Sequence, residues 1–236
     1  MAQPAGGARR TQLSDDAAAF VRNQIMSGEI RAGDSVRVEA VSSALEISTT
    51  PAREALQALR VEGFLELLPR RGFVVAPLGP SDVRDLFAAY SLIAGELAAR
   101  AAELRSDEQL ARLGVLHQEM LAAATRGNAA ELEDRNHAFH RQLNLIADAP
   151  KIQWVIGLMS RYIPRLSYAA IAGWPQATTE DHSAILEAIR AHDASAARAA
   201  MAAHIAHSGE LLAQRFEAID AERAQAHADT PTRVAG

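Results

Sequence analysis

A chain of 236 residues that is 49% hydrophobic but only 5% aromatic, with Ala and Leu prominent, suits closely packed helices better than a sheet of β-branched and aromatic residues. The absence of cysteine excludes disulfides, thiolate catalysis and cysteine-ligated zinc, while eight histidines leave imidazole metal sites open. The net charge of -5 is uneven: residues 1–78 hold nine Arg and nine acidic residues, and the remainder holds fifteen basic and twenty acidic ones, so the excess negative charge lies entirely in the second part.

No apolar stretch is long enough to span a bilayer, and no hydrophobic segment follows Arg9 and Arg10 as in a signal peptide; a cytoplasmic protein without a membrane partner is expected. Residues 1–10 and 224–236 are small, polar and punctuated, and are expected as disordered tails. Between them the first unit, residues 11–78, reads as helix, helix, helix, hairpin. Leu13, Ala17, Val21 and Ile25 recur at helical spacing, and Gly28 and Gly33 bracket the loop that follows. Val38, Val41 and Leu45 are the inward positions of a short second helix, and Glu46 to Thr49 form a turn. Ser48 or Thr50 can cap the third helix, Pro51 falls in its first turn, and Ala52, Ala55, Leu56 and Leu59 form its inward stripe up to Gly63. Phe64–Leu68 and Phe73–Ala76 then read as two strands around a tip of Pro69, Arg70, Arg71 and Gly72.

Pro77, Gly79 and Pro80 mark a linker, with Ser81 as the expected cap of the next helix and a domain boundary near residue 79. The second unit, residues 79–222, is expected to be all-helical, with segments 82–103, 107–125, 128–147, 150–170, 178–192 and 194–222. Breaks fall at Arg126-Gly127, at Asp148-Ala149-Pro150, at Gly173-Trp174-Pro175 and near Asp193, and Pro164 should bend the fourth segment.

Two features carry chemistry. Glu39 to Gly63 has the two-helix geometry in which the second helix can enter a major groove, presenting Thr49, Thr50, Arg53, Gln57 and Arg60 outward. The Arg53 guanidinium suits guanine O6 and N7 together, whereas Arg37, Arg70 and Arg71 suit phosphates or the minor groove. The competing reading of Arg53 is a solvated helix-face arginine paired with Glu54 or Glu46. The second feature is Asn136, His137 and His140 on one helix, His182 on another, and His204 with His207 on the last. Asn136 and His140 share a face, and with His182 and His204 they offer one oxygen and three imidazoles, a set suited to zinc, nickel or a related divalent ion. A metal-activated water in such a site could also serve an enzyme, but the only acids near NHAFH are Glu133 and Asp134, and that reading leaves the first unit unexplained.

The stretches SGEIRAGDSV, Glu39, STTPAREALQALRVEGF and PRRGFVV resemble the winged helix-turn-helix domain of the GntR family of transcription regulators over residues 11–78. NHAFH and EDHSAILEAIRAHDASAARAAMAAH resemble the FCD effector domain of its FadR-like branch over roughly residues 82–222. The resemblance implies a mainly α fold, with a winged helix-turn-helix and a helical bundle that binds effector and dimerises. It implies operator contacts from Arg37, Arg53 and the wing around Gly72, and a metal held by Asn136, His140, His182 and His204. Departures are Thr49 in place of the usual Arg, Asn136 in place of Asp, and Tyr90 and Ala94 in place of Arg and Glu. Asn136 brings no negative charge, so the cation should be held less tightly or lean on an anionic effector. Tyr90 implies a different ligand or a weaker grip on an acid, for which Arg135, Arg141 and Arg161 are the candidate compensating cations.

The expected machine is therefore a homodimer on a near-palindromic double-stranded DNA operator, a repressor relieved by a small carboxylate metabolite. The alternative is a sensor of metal or metabolite that acts mainly through protein contacts.

Overall fold

The computed structural model describes residues 5–162, 171 and 173–228. The chain divides into two compact units between Leu78 and Gly79.

In the first unit helix α1 spans Ala5–Ser27, α2 Val38–Ala44 and α3 Thr49–Val61, and strands β1 (Ser35–Val36), β2 (Leu65–Leu68) and β3 (Gly72–Val75) form a sheet in the order β1-β3-β2. All pairings are antiparallel, with Ser35 opposite Val74, Leu65 opposite Val75 and Leu68 opposite Gly72. The inward stripe of α3 is as the 3.6-residue period predicts: Ala52, Ala55, Leu56 and Leu59 have no exposed surface. Burying the two leucines alone is worth on the order of 1.5–3 kcal/mol each. Ala17 and Val21 of α1 and Phe64, Phe73 and Val75 complete this core. Gly63, at φ +87°, takes the left-handed conformation that ends α3 and turns the chain into β2.

The second unit comprises α4 (Pro80–Leu104), α5 (Asp107–Thr125), α6 (Ala129–Ile146), α7 (Pro150–Met159), a 3-10 turn at Ser160–Tyr162, α8 (Trp174–Arg190) and α9 (Ala194–Ala228). Helices α4 and α9 run antiparallel and close together: a Cβ added to Gly95 would lie 2.9 Å from the Arg198 carbonyl oxygen, and one added to Gly209 would overlap the Phe87 side chain. Arg84 spans the same pair, donating to Glu210 at 2.8 Å and Glu217 at 2.9 Å. Helices α6 and α8 pack against this pair and α5 packs on α6 and α8, burying Leu113, Met120, Leu132, Phe139, Leu143, Ile185 and Ile189.

Several boundaries differ from the sequence reading, each for a local reason. Helix α1 starts at Ala5, inside the segment expected as a disordered tail, and α9 continues to Ala228, past the expected end at 222. Strand β1 was not anticipated, since a two-residue edge strand carries no periodicity; it exists because Ser35 and Val36 pair with the wing. Gly79, not Ser81, caps α4, because the Asp82 carboxylate accepts the Gly79 N–H at 2.7 Å. Gly173-Trp174-Pro175, read as a break, is the start of α8: Gly173 at φ +84° is the cap and Pro175 sits in the first turn, where its missing N–H costs nothing. The segment expected over 150–170 is helical to Met159 with the 3-10 turn beyond; Pro164 and its supposed bend lie outside the described residues.

Candidate functional site

The outward face of α3 begins at Thr49 and Thr50, both exposed, and continues through Arg53 and Arg60, with Gln57 half-buried between them. Gln57 Oε1 accepts from Arg60 Nε at 3.1 Å, so these two side chains stand as a pair on that face. Arg53 is exposed and makes no ion pair among the described residues, and Glu54 is taken by a bidentate contact from Arg10 of α1. The alternative in which Glu54 neutralises Arg53 therefore has no support in the geometry. Arg37, at the N-terminus of α2, is exposed. At the wing tip Arg70 has φ +65° and Gly72 φ +73°, which turn the hairpin tightly and leave the Arg70 side chain outside. Arg71 behaves differently: its Nη2 donates to the Gly33 carbonyl at 2.7 Å and ties the wing to the loop before β1. Exposed cations at a helix N-terminal half and at a hairpin tip of one small unit are what a phosphate backbone and a groove require.

In the second unit the structure brings His140 of α6, His182 of α8 and His204 of α9 together, with one ring nitrogen from each lying within 4.8 Å of the others. The ring centroids of His140 and His182 are 5.0 Å apart, those of His140 and His204 5.3 Å, and those of His182 and His204 4.5 Å. Two of the rings are aimed from behind. His182 Nδ1–H donates to the Thr178 carbonyl at 2.6 Å, one turn earlier on α8, so its Nε2 carries the lone pair. His204 Nδ1–H donates to Asp181 Oδ2 at 3.2 Å, which frees its Nε2 likewise. Phe139 packs edge-on against His182, with centroids 4.8 Å apart. Burial, together with the neighbouring imidazoles, pushes His140 and His182 well below the ordinary histidine range, so both are neutral at physiological pH.

Whether this set fits a metal is decided by its unsatisfied atoms. His182 Nε2 and Asn136 Oδ1 are both buried without a hydrogen-bond partner, an arrangement that is costly unless a ligand completes it. Three imidazoles and an amide oxygen are a donor set suited to zinc or nickel. Asn136, His140, His182 and His204 thus fit a divalent ion.

Asn136, His140 and His204 also line a cavity of about 390 Å³, with Phe87, Tyr90 and Trp174 on its apolar wall and His137, Arg141 and Asn144 among its polar groups. Tyr90 is buried, and burial pushes its hydroxyl up to about 12, so it offers a neutral phenol. Of the arginines considered as effector contacts, Arg141 is among the described lining residues; Arg135 instead pairs with Glu119 of α5 at 3.3 Å, and Arg161 is exposed in the 3-10 turn and is not among them. His207 is exposed and shares Asp181 Oδ2 with His204, at 3.4 Å. Asp181 was missed by the sequence reading. It adjoins His182, but neighbours on a helix point to different faces, and only the packing of α8 on α9 shows that it serves His204.

A winged helix-turn-helix joined to an all-helical domain with a ligand-sized cavity defines a DNA-binding transcription regulator. Comparison with known families makes the class specific: the FCD domain family matches residues 85–207, and the family described as bacterial regulatory proteins, gntR family, matches residues 13–75. The chain belongs to the GntR family of bacterial regulators and carries an FCD domain. It is 27% identical over 219 residues to the HTH-type transcriptional regulator LutR of Bacillus subtilis (strain 168), covering 82% of this chain and 98% of that one. It is 27% identical over 200 residues to the HTH-type transcriptional repressor RspR of Escherichia coli (strain K12), covering 83% and 86%. Among solved structures, E. coli McbR/YncC shares the fold with a TM-score of 0.69 at 22% identity, over 86% of this chain and 98% of that one. LutR and RspR are both named as transcription regulators.

Proposed function

We propose that the protein is a cytoplasmic, homodimeric repressor whose grip on a near-palindromic operator is released by a small carboxylate, a sugar acid or another organic acid, bound beside a divalent metal in the second unit. The observation that carries this reading is the convergence of three imidazoles with the orphaned Asn136 oxygen beside the cavity, whose wall includes Asn136, His140 and His204. A metal held there would act as a Lewis acid that receives a carboxylate. Around it, Arg141 and His137 add polar recognition, Asn144 lines the same side, and Tyr90 with Trp174 excludes water from the ligand's body. Two-fold symmetry in the protein is matched by two-fold symmetry in the operator, which is why a dimer would place two copies of α3 on successive half-sites. Exposed Leu92 of α4 and Trp154 and Leu158 of α7, on helices that pack together, offer apolar surface for that dimer. For control, the acid must bind the DNA-incompatible arrangement more tightly than the compatible one.

The test is operator footprinting with the full chain, with carboxylic metabolites added in the presence and absence of a chelator. A discrete footprint lost with one acid, and protected from that loss by chelation, is the expected result. Salt-sensitive binding without a footprint, unaffected by any acid, would sink the reading.

A further inference from the structure

We propose that Asp181 supplies to the histidine cluster, through His204, the negative charge that Asn136 does not bring. The inference rests on the metal-binding reading above. Neither an amide nor an imidazole brings negative charge, so a divalent ion among Asn136, His140, His182 and His204 would keep its full positive charge in surroundings where His182 is fully buried and His204 is 3% exposed. An uncompensated charge in such a place is costly. Asp181 stands directly behind one donor: its Oδ2 accepts the Nδ1–H of His204 at 3.2 Å. A carboxylate in that position raises the basicity of the opposite ring nitrogen and lends the metal part of its charge across the ring.

The carboxylate is itself held. His207, three residues further along α9, donates to the same Oδ2 at 3.4 Å from the solvent side, so Asp181 is pinned between two turns of one helix. Asp181 also sits on α8 next to His182, so the element that supplies one imidazole supplies the orienting group of another. Asp181 is a positioning residue, since it touches His204 and not the ligand sphere. Its charge distinguishes it from a residue that only holds a ring in place.

The experiment uses the full chain as wild type, Asp181→Asn, Asn136→Asp and the double variant, each titrated with zinc against a chromophoric chelator. An amide at 181 keeps an oxygen to accept the His204 proton and removes only the charge. Asp181→Asn should weaken zinc binding roughly 10-fold, the lower end of what lost outer-shell partners cost. In the Asn136→Asp background, where the charge is restored at the ligand itself, the same change should cost less than about 3-fold, a non-additive cycle. In the metal-free protein, NMR of labelled histidine should show His204 as the Nδ1–H tautomer in both wild type and Asp181→Asn. Wild-type zinc binding that Asp181→Asn leaves unchanged, or an equal loss in both backgrounds, overturns this inference alone. Failure of every variant to bind zinc overturns the metal reading and this inference with it.

Discussion

His182 donates its Nδ1–H to the Thr178 carbonyl at 2.6 Å, and this one contact decides what the other side of the ring can do. The proton is fixed on Nδ1, against the backbone of α8, so the buried Nε2 faces His140 and His204 as a lone pair without a protein partner. A backbone carbonyl was chosen for the task, and a carbonyl cannot donate. The ring is thereby barred from the tautomer that would waste its lone pair on the helix.

Metal should therefore stabilise the fold, and the effect should depend on that ring. Zinc in excess at about 100 times its dissociation constant adds about 2.7 kcal/mol to a native state that alone binds it. Thermal melting of chelator-treated protein should show a clear rise in Tm on adding zinc or nickel. His182→Gln should lose most of that rise while folding without metal. A rise of equal size in His182→Gln would show that the ion binds elsewhere.

The metal-free protein should be acid-sensitive in a defined window. Folding holds His140 and His182 well below the ordinary histidine value of about 6.5, because burial and neighbouring imidazoles disfavour the imidazolium. The unfolded chain then binds protons that the folded chain refuses, so stability rises with pH between the two values. Stability should be complete above about pH 7 and fall as pH drops below about 6.5, the unfolded value. Denaturant melts from pH 7.5 to pH 5 should show this slope, and it should shrink in the His140→Gln, His182→Gln double variant. An unchanged slope in that variant would remove these two rings as its cause.

How much of this was legible beforehand follows from what each signal depends on. The α3 stripe Ala52, Ala55, Leu56, Leu59 was readable because burial on one face forces a 3.6-residue period, and the wing because Pro69 to Gly72 sits between two apolar runs. The three clustered histidines were readable as candidates from their helical spacing and family pattern, but only the packing of α6, α8 and α9 sets their nitrogens within 4.8 Å. Gly173-Trp174-Pro175 misled because the same residues that stop one helix can start another, and the choice rests on the burial of Trp174. Asp181 and the ties of Arg71 to Gly33 and Arg135 to Glu119 were illegible, since each depends on a partner brought close by tertiary structure.

The two wing arginines should separate in their effects on DNA binding, and Arg53 should differ from both. Arg53 is exposed without an ion-pair partner among the described residues, so Arg53→Ala should cost about 1–3 kcal/mol at the operator and relax preference at one base position. Arg70→Ala should weaken binding to all sequences and reduce the salt slope by about one. Arg71→Ala should also loosen the hairpin, because its guanidinium holds the Gly33 carbonyl. Fluorescence anisotropy on operator and scrambled duplexes over a salt series measures all three. Equal loss on both duplexes for Arg53→Ala would move that residue from base reading to phosphate binding.

Gly209 provides a test of the packing on which the cavity rests. In an exposed helix interior, replacing Gly by Ala stabilises by about 0.8–1.0 kcal/mol, because alanine is the better helix former. Gly209 is buried in α9, and a Cβ there would overlap the Phe87 side chain of α4, a residue that also lines the cavity. The clash falls on Phe87 Cβ and Cγ, the anchored base of the side chain and not its free end, so overpacking should dominate and Gly209→Ala should lose about 1–3 kcal/mol. The displaced Phe87 ring should in turn weaken binding of any effector that reaches the apolar wall. Urea melts and effector titration on the same variant read the two consequences separately. A gain in stability would mean that α4 and α9 stand further apart than the structure places them.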